Sequence, residues 1–242
     1  MVNSADVFLS DIYQETESYI RLVMKYIIYC YKKMITDKKT YDYSRKGKIN
    51  QEEFLRNGLV DDYLTKKSNK EYYIRSVSGY SNVKIYFQAE ERMSYSDGVL
   101  RDDYIDISIK ATPLSEIWGD QTEDEIKFAI ECKRINKHTD YNKYKKDIDK
   151  FIARPHTTFR LPFEGQIAFL ENKTINHTTT KDEVNKLLHA DNQYLVSELA
   201  FTQLEENIDY SYSSKHKRSY QPFKSFSIFH LFLDYSAIVI NQ

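Results

Sequence analysis

Apolar positions recur at intervals of three and four along the first part of the chain. Phe8, Ile12, Tyr19, Val23, Tyr26, Ile27, Cys30 and Met34 stack on one side of a helix over residues 5–34. The polar stretch 36–48, with Gly47, reads as a connection. Asn50 then takes the N-cap place, with Glu53 at the third helical position and Phe54, Leu55, Leu59 and Leu64 behind it; Gly58 weakens the middle of that helix. From Tyr72 the period drops to two. Residues 72–77 and 83–87 are expected as strands, with Ser78-Gly79 and Ser81-Asn82 as turn material between them and another turn at Ser96-Asp97-Gly98.

The run YIDISI, residues 104–109, predicts a strand with Ile105, Ile107 and Ile109 on one face and Asp106 and Ser108 on the other. An irregular link is expected over 112–124, then a strand over 125–133 in which Glu131 and Lys133 share a face and Cys132 takes the opposite one. A charged helix over 139–153 puts Tyr144, Ile148 and Phe151 on one side, and GQIAFL, residues 165–170, reads as a buried strand. Helices are expected over 181–189 and 194–203, and a last strand over 226–234. Strands separated by helices predict an α/β fold, a mixed sheet flanked by helices, with an additional N-terminal helix. Residues 1–48 form the N-terminal helical extension in this reading and 49–242 the domain that carries the chemistry.

Composition narrows the class without choosing a function. Apolar residues make up 41% of the 242 and charged ones 29%, which excludes global disorder. Tyrosine is abundant, at 21 residues, so aromatic area is available for packing while hydroxyls stay hydrated. Net charge is -1, which gives no support for strong nonspecific attraction to nucleic acid, although an acidic site and a basic rim cancel in such a sum. Two cysteines, Cys30 and Cys132, fit neither a zinc motif nor a disulfide scaffold, and a reducing, cytoplasmic setting is expected. No signal peptide and no membrane span are expected either. The six histidines lack HExxH spacing, and both the GxxxxGK phosphate loop and the GxSxG elbow are missing.

One pattern carries chemistry. A divalent cation that activates water on a phosphodiester needs hard oxygen ligands and open positions for water and phosphate. Asp106 offers a carboxylate from one strand, and Glu131, 25 residues later, another from a second. Lys133 lies two residues beyond, on the same face, where its ammonium can stabilise developing charge or orient the attacking water. The same letters also fit an exposed cross-strand pair with Asp106 on a solvated edge.

Asp106 in YIDISI with Glu131-Cys132-Lys133 in FAIECKRI resembles the PD-(D/E)xK nuclease superfamily of restriction-endonuclease-like proteins. The likeness continues through KDIDKFI and GQIAFLE, covers about Gln51 to Leu170, and departs where Ile105 replaces the proline that often precedes the first acid. It implies a restriction-endonuclease-like fold, Mg2+ (with Mn2+ as substitute) held by Asp106 and Glu131, and Lys133 acting beside them. It also implies a further upstream acid, for which Glu53, Glu90 and Glu91 are candidates and Glu91 is favoured as metal ligand. The activity implied is DNA endonuclease action in restriction or phage defence, with RNA as the other substrate. The alternative is an inactive nuclease-fold module that binds nucleic acid or a protein. A homo-oligomer or a partner subunit is expected, and near-neutral charge favours a partner subunit that helps recruit substrate.

Two further groups remain open. Arg134, Lys137, His138, Arg154, His156 and Arg160 fit either backbone contacts or a solvated charge run, and Gln166 either supports Lys133 or packs on another polar group. YSYSSKHKRSY, residues 210–220, interleaves tyrosines with cations, as a single-strand platform or a flexible polar loop would.

Overall fold

The computed structural model describes residues 4–77, 83–96, 98–118, 126–155, 159–219 and 225–240. Ser78, Gly79, Ser81, Asn82, Asp97 and His156, named above, lie outside them, as do residues 119–125, where the expected link ends and the strand over 125–133 begins, and Tyr220, the last residue of the 210–220 run.

Helix α1 (Ser4–Thr36) runs as the apolar stripe requires and buries Val23, Ile27, Cys30 and Met34. A two-residue strand β1 (Tyr41–Asp42) follows, then α2 (Gln51–Leu59), extended by a π-helical turn over Val60–Leu64. The capping box at its start is formed as expected: Glu53 N–H donates to Asn50 Oδ1 at 2.9 Å, and the Glu53 carboxylate accepts from the Asn50 backbone. Next come α3 (Lys67–Ser76), β2 (Ile85–Ser96), β3 (Leu100–Ala111), α4 (Thr112–Trp118), β4 (Phe128–Ile135), α5 (Asp140–Ala153) and β5 (Phe163–Leu170). The chain closes with α6 (His177–Ala190), β6 (Leu195–Phe201), β7 (Ser211–Lys217), β8 (Ser225–Asp234) and β9 (Val239–Ile240).

Seven strands form one mixed sheet in the order β2-β3-β4-β5-β8-β7-β6. β4, β5 and β8 are parallel at its centre, and both wings are antiparallel. That is an α/β fold with a mixed sheet flanked by helices and a helix at the N-terminus. One apolar cluster joins α1, α2 and α3 to Ile107, Ile130, Cys132 and Ile167, and a second, on the other face, packs α5 and α6 on Ala168, Leu170 and Phe232. Residues on both sides of position 48 enter the first cluster, and Tyr41 pairs with Val239 in a separate two-stranded sheet. Among the described residues no helix is long and apolar enough to cross a membrane. Cys30 and Cys132 are both free and buried.

Four expected elements differ. Residues 72–76 are helical, because Tyr73 must pack on Tyr26 and Tyr29 of α1, and that tertiary contact overrides the strand preference of Tyr72, Tyr73 and Ile74. The region 195–201, rich in helix formers, is instead the edge strand β6. Its backbone pairs with β7, and Asn185 clasps Leu199 through both N–H and C=O at 2.8 and 3.1 Å. The link after β3 begins as helix α4, whose Leu114 and Trp118 are buried. Residues 211–217 are an inner strand rather than a loop, so His216 and Arg218 are buried while Lys215 and Lys217 point outward.

The alternation in β3 is also interrupted. Ile107 and Ile109 enter the large cluster, whereas Ile105 packs with Met93 and Ala129, on the face that Glu131 shares. The ladder runs Ala89 to Ile107 and Glu91 to Ile105, so the break falls where Glu90 lies opposite Asp106. Glu90 has φ 52°, a left-handed backbone that non-glycine residues seldom adopt.

Candidate active site

Asp106 stands where β3 and β4 part. Their ladder holds Ile109 to Phe128, Ser108 to Ala129 and Ile107 to Ile130; just beyond it Asp106 Oδ2 accepts the Cys132 backbone N–H at 2.8 Å. The carboxylate thus takes a donor that the departing strand leaves open. Arg56 of α2, only 4% exposed, donates from Nη1 to Asp106 Oδ1 at 2.7 Å and reaches Glu90 Oε1 with Nη2 at 2.9 Å. Burial alone would lower the Arg56 pKa, but hydrogen bonds to Glu90 and Asp106 override it and keep the guanidinium charged. Arg56 therefore bridges both strands at the kink.

Glu131 is 3% exposed and lies against Asp106. Burial first, and then the charge of Asp106, hold its carboxyl well above the usual carboxylate range, with Lys150 Nζ at 4.0 Å pulling the other way. Lys133 Nζ donates to Glu52 Oε1 at 2.8 Å and meets Asp147 Oδ2 at 3.2 Å. Burial would release the Lys133 proton more easily; Asp147 and Glu52 outweigh that and hold it as an ammonium above its ordinary range. Glu52 also accepts the Arg134 N–H at 2.9 Å, which fixes the first turn of α2 to the end of β4. Cys132 sits in the opposite apolar layer, its thiol pushed up by burial.

Asp106, Glu131 and Lys133 are thus collected just beyond the end of the β3–β4 ladder. Glu91 is not brought to them: its carboxylate accepts from Lys127 Nζ at 2.5 Å, with Lys110 at 4.0 Å. Glu53 is spent on the capping box, and Glu90 on Arg56. The upstream acid that reaches the group is Glu52, which was not among the sequence candidates Glu53, Glu90 and Glu91 and replaces the favoured Glu91.

Asp147 and Lys150 of α5, with Arg56, were equally missed. Asp147 lies between Tyr144 and Phe151 on the apolar side of α5, and a carboxylate on that stripe was the available signal. Gln166 donates to the Tyr144 carbonyl at 2.8 Å and so packs on a polar group, while three of the downstream arginines are used internally: Arg134 on Glu171, Arg154 on Asp103 and Arg160 on Glu164. Lys137 and His138 are exposed.

Among the described residues no three histidine, cysteine or carboxylate side chains converge as a metal cage. Magnesium does not require one, since it keeps several waters and is held through one or two carboxylates plus substrate phosphate. Two adjoining carboxylates, one buried and resisting ionisation beside the other, form a donor pair that a hard divalent cation would relieve. The residues present fit such an ion with Asp106 and Glu131 as its protein ligands. Comparison of the chain with protein-family models, curated proteins and solved structures returns no match.

Proposed function

We propose that the chain is a metal-dependent nuclease of the PD-(D/E)xK type, with a restriction-endonuclease-like core, that hydrolyses phosphodiester bonds in DNA. The observation that carries this reading is the meeting of Asp106 and Glu131 at the parting of β3 and β4, with Lys133 held beside them by Glu52 and Asp147. The succession β2-β3-β4, then α5, then β5 parallel to β4, supports the finer fold.

Asp106 and Glu131 would hold Mg2+ or Mn2+, which when bound supplies Lewis acidity and an acidified water. Arg56 fixes one Asp106 oxygen, and the Cys132 amide the other, so the first ligand is oriented before any ion arrives. Lys133 is kept protonated, which suits it to orient water and to stabilise charge on phosphate, not to accept a proton. Glu52 positions that ammonium.

Plasmid DNA with purified protein and Mg2+ should be cut, and EDTA should stop the cutting. Asp106→Ala and Lys133→Ala should each abolish cleavage, and Glu52→Gln should reduce it. Glu53→Gln, which touches only the helix cap, should leave it unchanged. Cleavage retained in both alanine variants would sink the assignment, and RNA in parallel distinguishes the substrate.

A second reading has its own observation: Arg56 and Lys150 already give Asp106 and Glu131 cationic partners. As an inactive module binding nucleic acid or a protein, the chain would show no metal-dependent hydrolysis, and Asp106→Ala would leave partner binding intact.

A further inference from the structure

A groove of about 380 Å³ runs between α3 and β2, the edge strand of the sheet, and none of its lining residues belongs to the Asp106–Lys133 cluster. Lys67, Lys70, Arg75 and Lys84 line it, against a single carboxylate, Glu71. Only Lys67 of the four forms an ion pair among the described residues, an exposed one to Glu71 at 3.6 Å. The chain as a whole carries net charge -1, so this is a local concentration of positive charge.

Aromatic faces stand among the cations. Tyr86 is 56% exposed, with Lys70 Nζ 6.0 Å from its ring centre. Tyr72 is 66% exposed: one ring face stacks on Tyr29 at 5.9 Å, and it lines a second hollow that shares Glu71 and Arg75 with the first. Leaving two large rings in water beside unneutralised ammonium groups forgoes burial that folding would otherwise use.

We propose that this groove binds a single strand of nucleic acid, the cations tracking its phosphates and Tyr86 and Tyr72 stacking on its bases. Repeated anions alternating with flat aromatic rings match both features at once, which an acidic peptide or a lipid headgroup layer does not. The rings can stack only on bases that are not already stacked in a duplex, and this selects the single strand. Position supports the choice as well. Tyr86 is in register with Lys110, and Gln88 with Ser108, and the next such row is Glu90 with Asp106. A strand seated on Tyr86 therefore lies about 13 Å along β2 from the carboxylates, a reach of a few nucleotides.

Fluorescence anisotropy with fluorescein-labelled dT12 in EDTA tests this without any cleavage. Wild-type protein should bind with a strong salt dependence. The quadruple variant Lys67→Gln, Lys70→Gln, Arg75→Gln, Lys84→Gln should bind weakly, with the slope of log K against log salt reduced by about 3. Tyr86→Ala should weaken binding at least about 5-fold, and Tyr86→Phe, which keeps the ring, should match wild type. In an Asp106→Ala background Tyr86→Ala should still weaken dT12 binding at least about 5-fold, so loss of the proposed reaction and loss of this surface are read separately. The RNA counterpart rU12 tells which strand chemistry is preferred, and binding of either supports the proposal. It is overturned if the quadruple variant keeps the wild-type slope, if Tyr86→Ala binds like wild type, if a duplex of equal length binds more tightly, or if phosphatidylserine vesicles are bound and neither oligonucleotide is.

Discussion

Two buried polar clusters lie on the same face of the sheet, and a single row of register, Glu131 on β4, Gln166 on β5 and His230 on β8, joins them. At the β3–β4 end the groups are acids and bases: Asp106, Glu131, Asp147 and Glu52 among Arg56, Lys133 and Lys150. At the β7–β8 end they are neutral. Tyr144 Oη meets His230 Nδ1 at 2.8 Å, His230 Nε2 meets Ser214 Oγ at 2.8 Å, and Ser214 Oγ meets His216 Nε2 at 2.7 Å. In one orientation Tyr144, His230 and Ser214 each donate to the next group along, which leaves the buried His216 Nδ1 without a partner. A neutral network of this kind orders a core at smaller cost than buried charge does. The charged end is different, since well-packed apolar side chains would serve stability at least as well as buried ion pairs. Charge is retained there, at kinked strands, and that contrast is the argument for chemistry at one end and structure at the other.

Acid should separate the two ends most strongly. Burial, and then the charge of Lys145, lower His216 to about 4, and burial followed by the charge of His216 holds His230 well below the ordinary imidazole range. The unfolded chain takes up these protons first as pH falls, so the stability is fully present above about pH 6.5 and is lost toward the folded values. His216 alone accounts for about 3 kcal/mol by pH 4. Glu131 acts with the opposite sign, because its raised carboxyl holds a proton more readily when folded. Urea unfolding at pH 7 and pH 4 should show the loss, and His216→Asn should remove the His216 share while leaving that of His230, whose shift comes first from burial. An unchanged pH dependence in that variant would assign acid sensitivity to the carboxylates and erase the contrast.

Asp147→Ala should cost about 2–3 kcal/mol at pH 7, read from the same unfolding curves. Breaking a buried pair usually costs more, about 3–5 kcal/mol. Here Lys133 keeps Glu52 and Lys150 is a third exposed, which softens the loss. If the charged end is kept for chemistry, the variant should lose cleavage in greater proportion than stability. Stability falling while cleavage persists would make Asp147 a structural residue.

How much of this was legible follows from the same contrast. Asp106, Glu131 and Lys133 could be read because each sits in a short apolar run whose period betrays a buried strand, and a charge in such a run needs a reason. The Asn50–Glu53 cap was legible because its partners are three residues apart. Tertiary matters were not. Glu52 and Glu53 are chemically identical neighbours, and only the direction in which α2 enters the fold turns one to Lys133 and the other to its own cap. Arg56 reaches Asp106 from 50 residues away. The strand and helix of 195–201 and 72–76 were interchanged because local preference is weaker than an open sheet edge or an aromatic contact with α1. Ile105 looked like part of a clean alternation, and a single positive φ across the ladder broke it.

Ser214→Ala is the mildest test and bears on the neutral end alone. The hydroxyl accepts from one histidine and donates to the other, so its removal leaves His230 Nε2 and His216 Nε2 without the partner they share. The change in volume is one oxygen atom, and no charge is exposed. The expected cost is about 1–2 kcal/mol, the range for orphaning buried neutral groups, and it should be insensitive to salt. Cleavage should be untouched, since Ser214 lies two strands beyond β5 and contacts none of Asp106, Glu131 or Lys133. A loss of activity at unchanged stability would mean that the neutral row communicates with Glu131 through Gln166, and the two clusters would have to be treated as one.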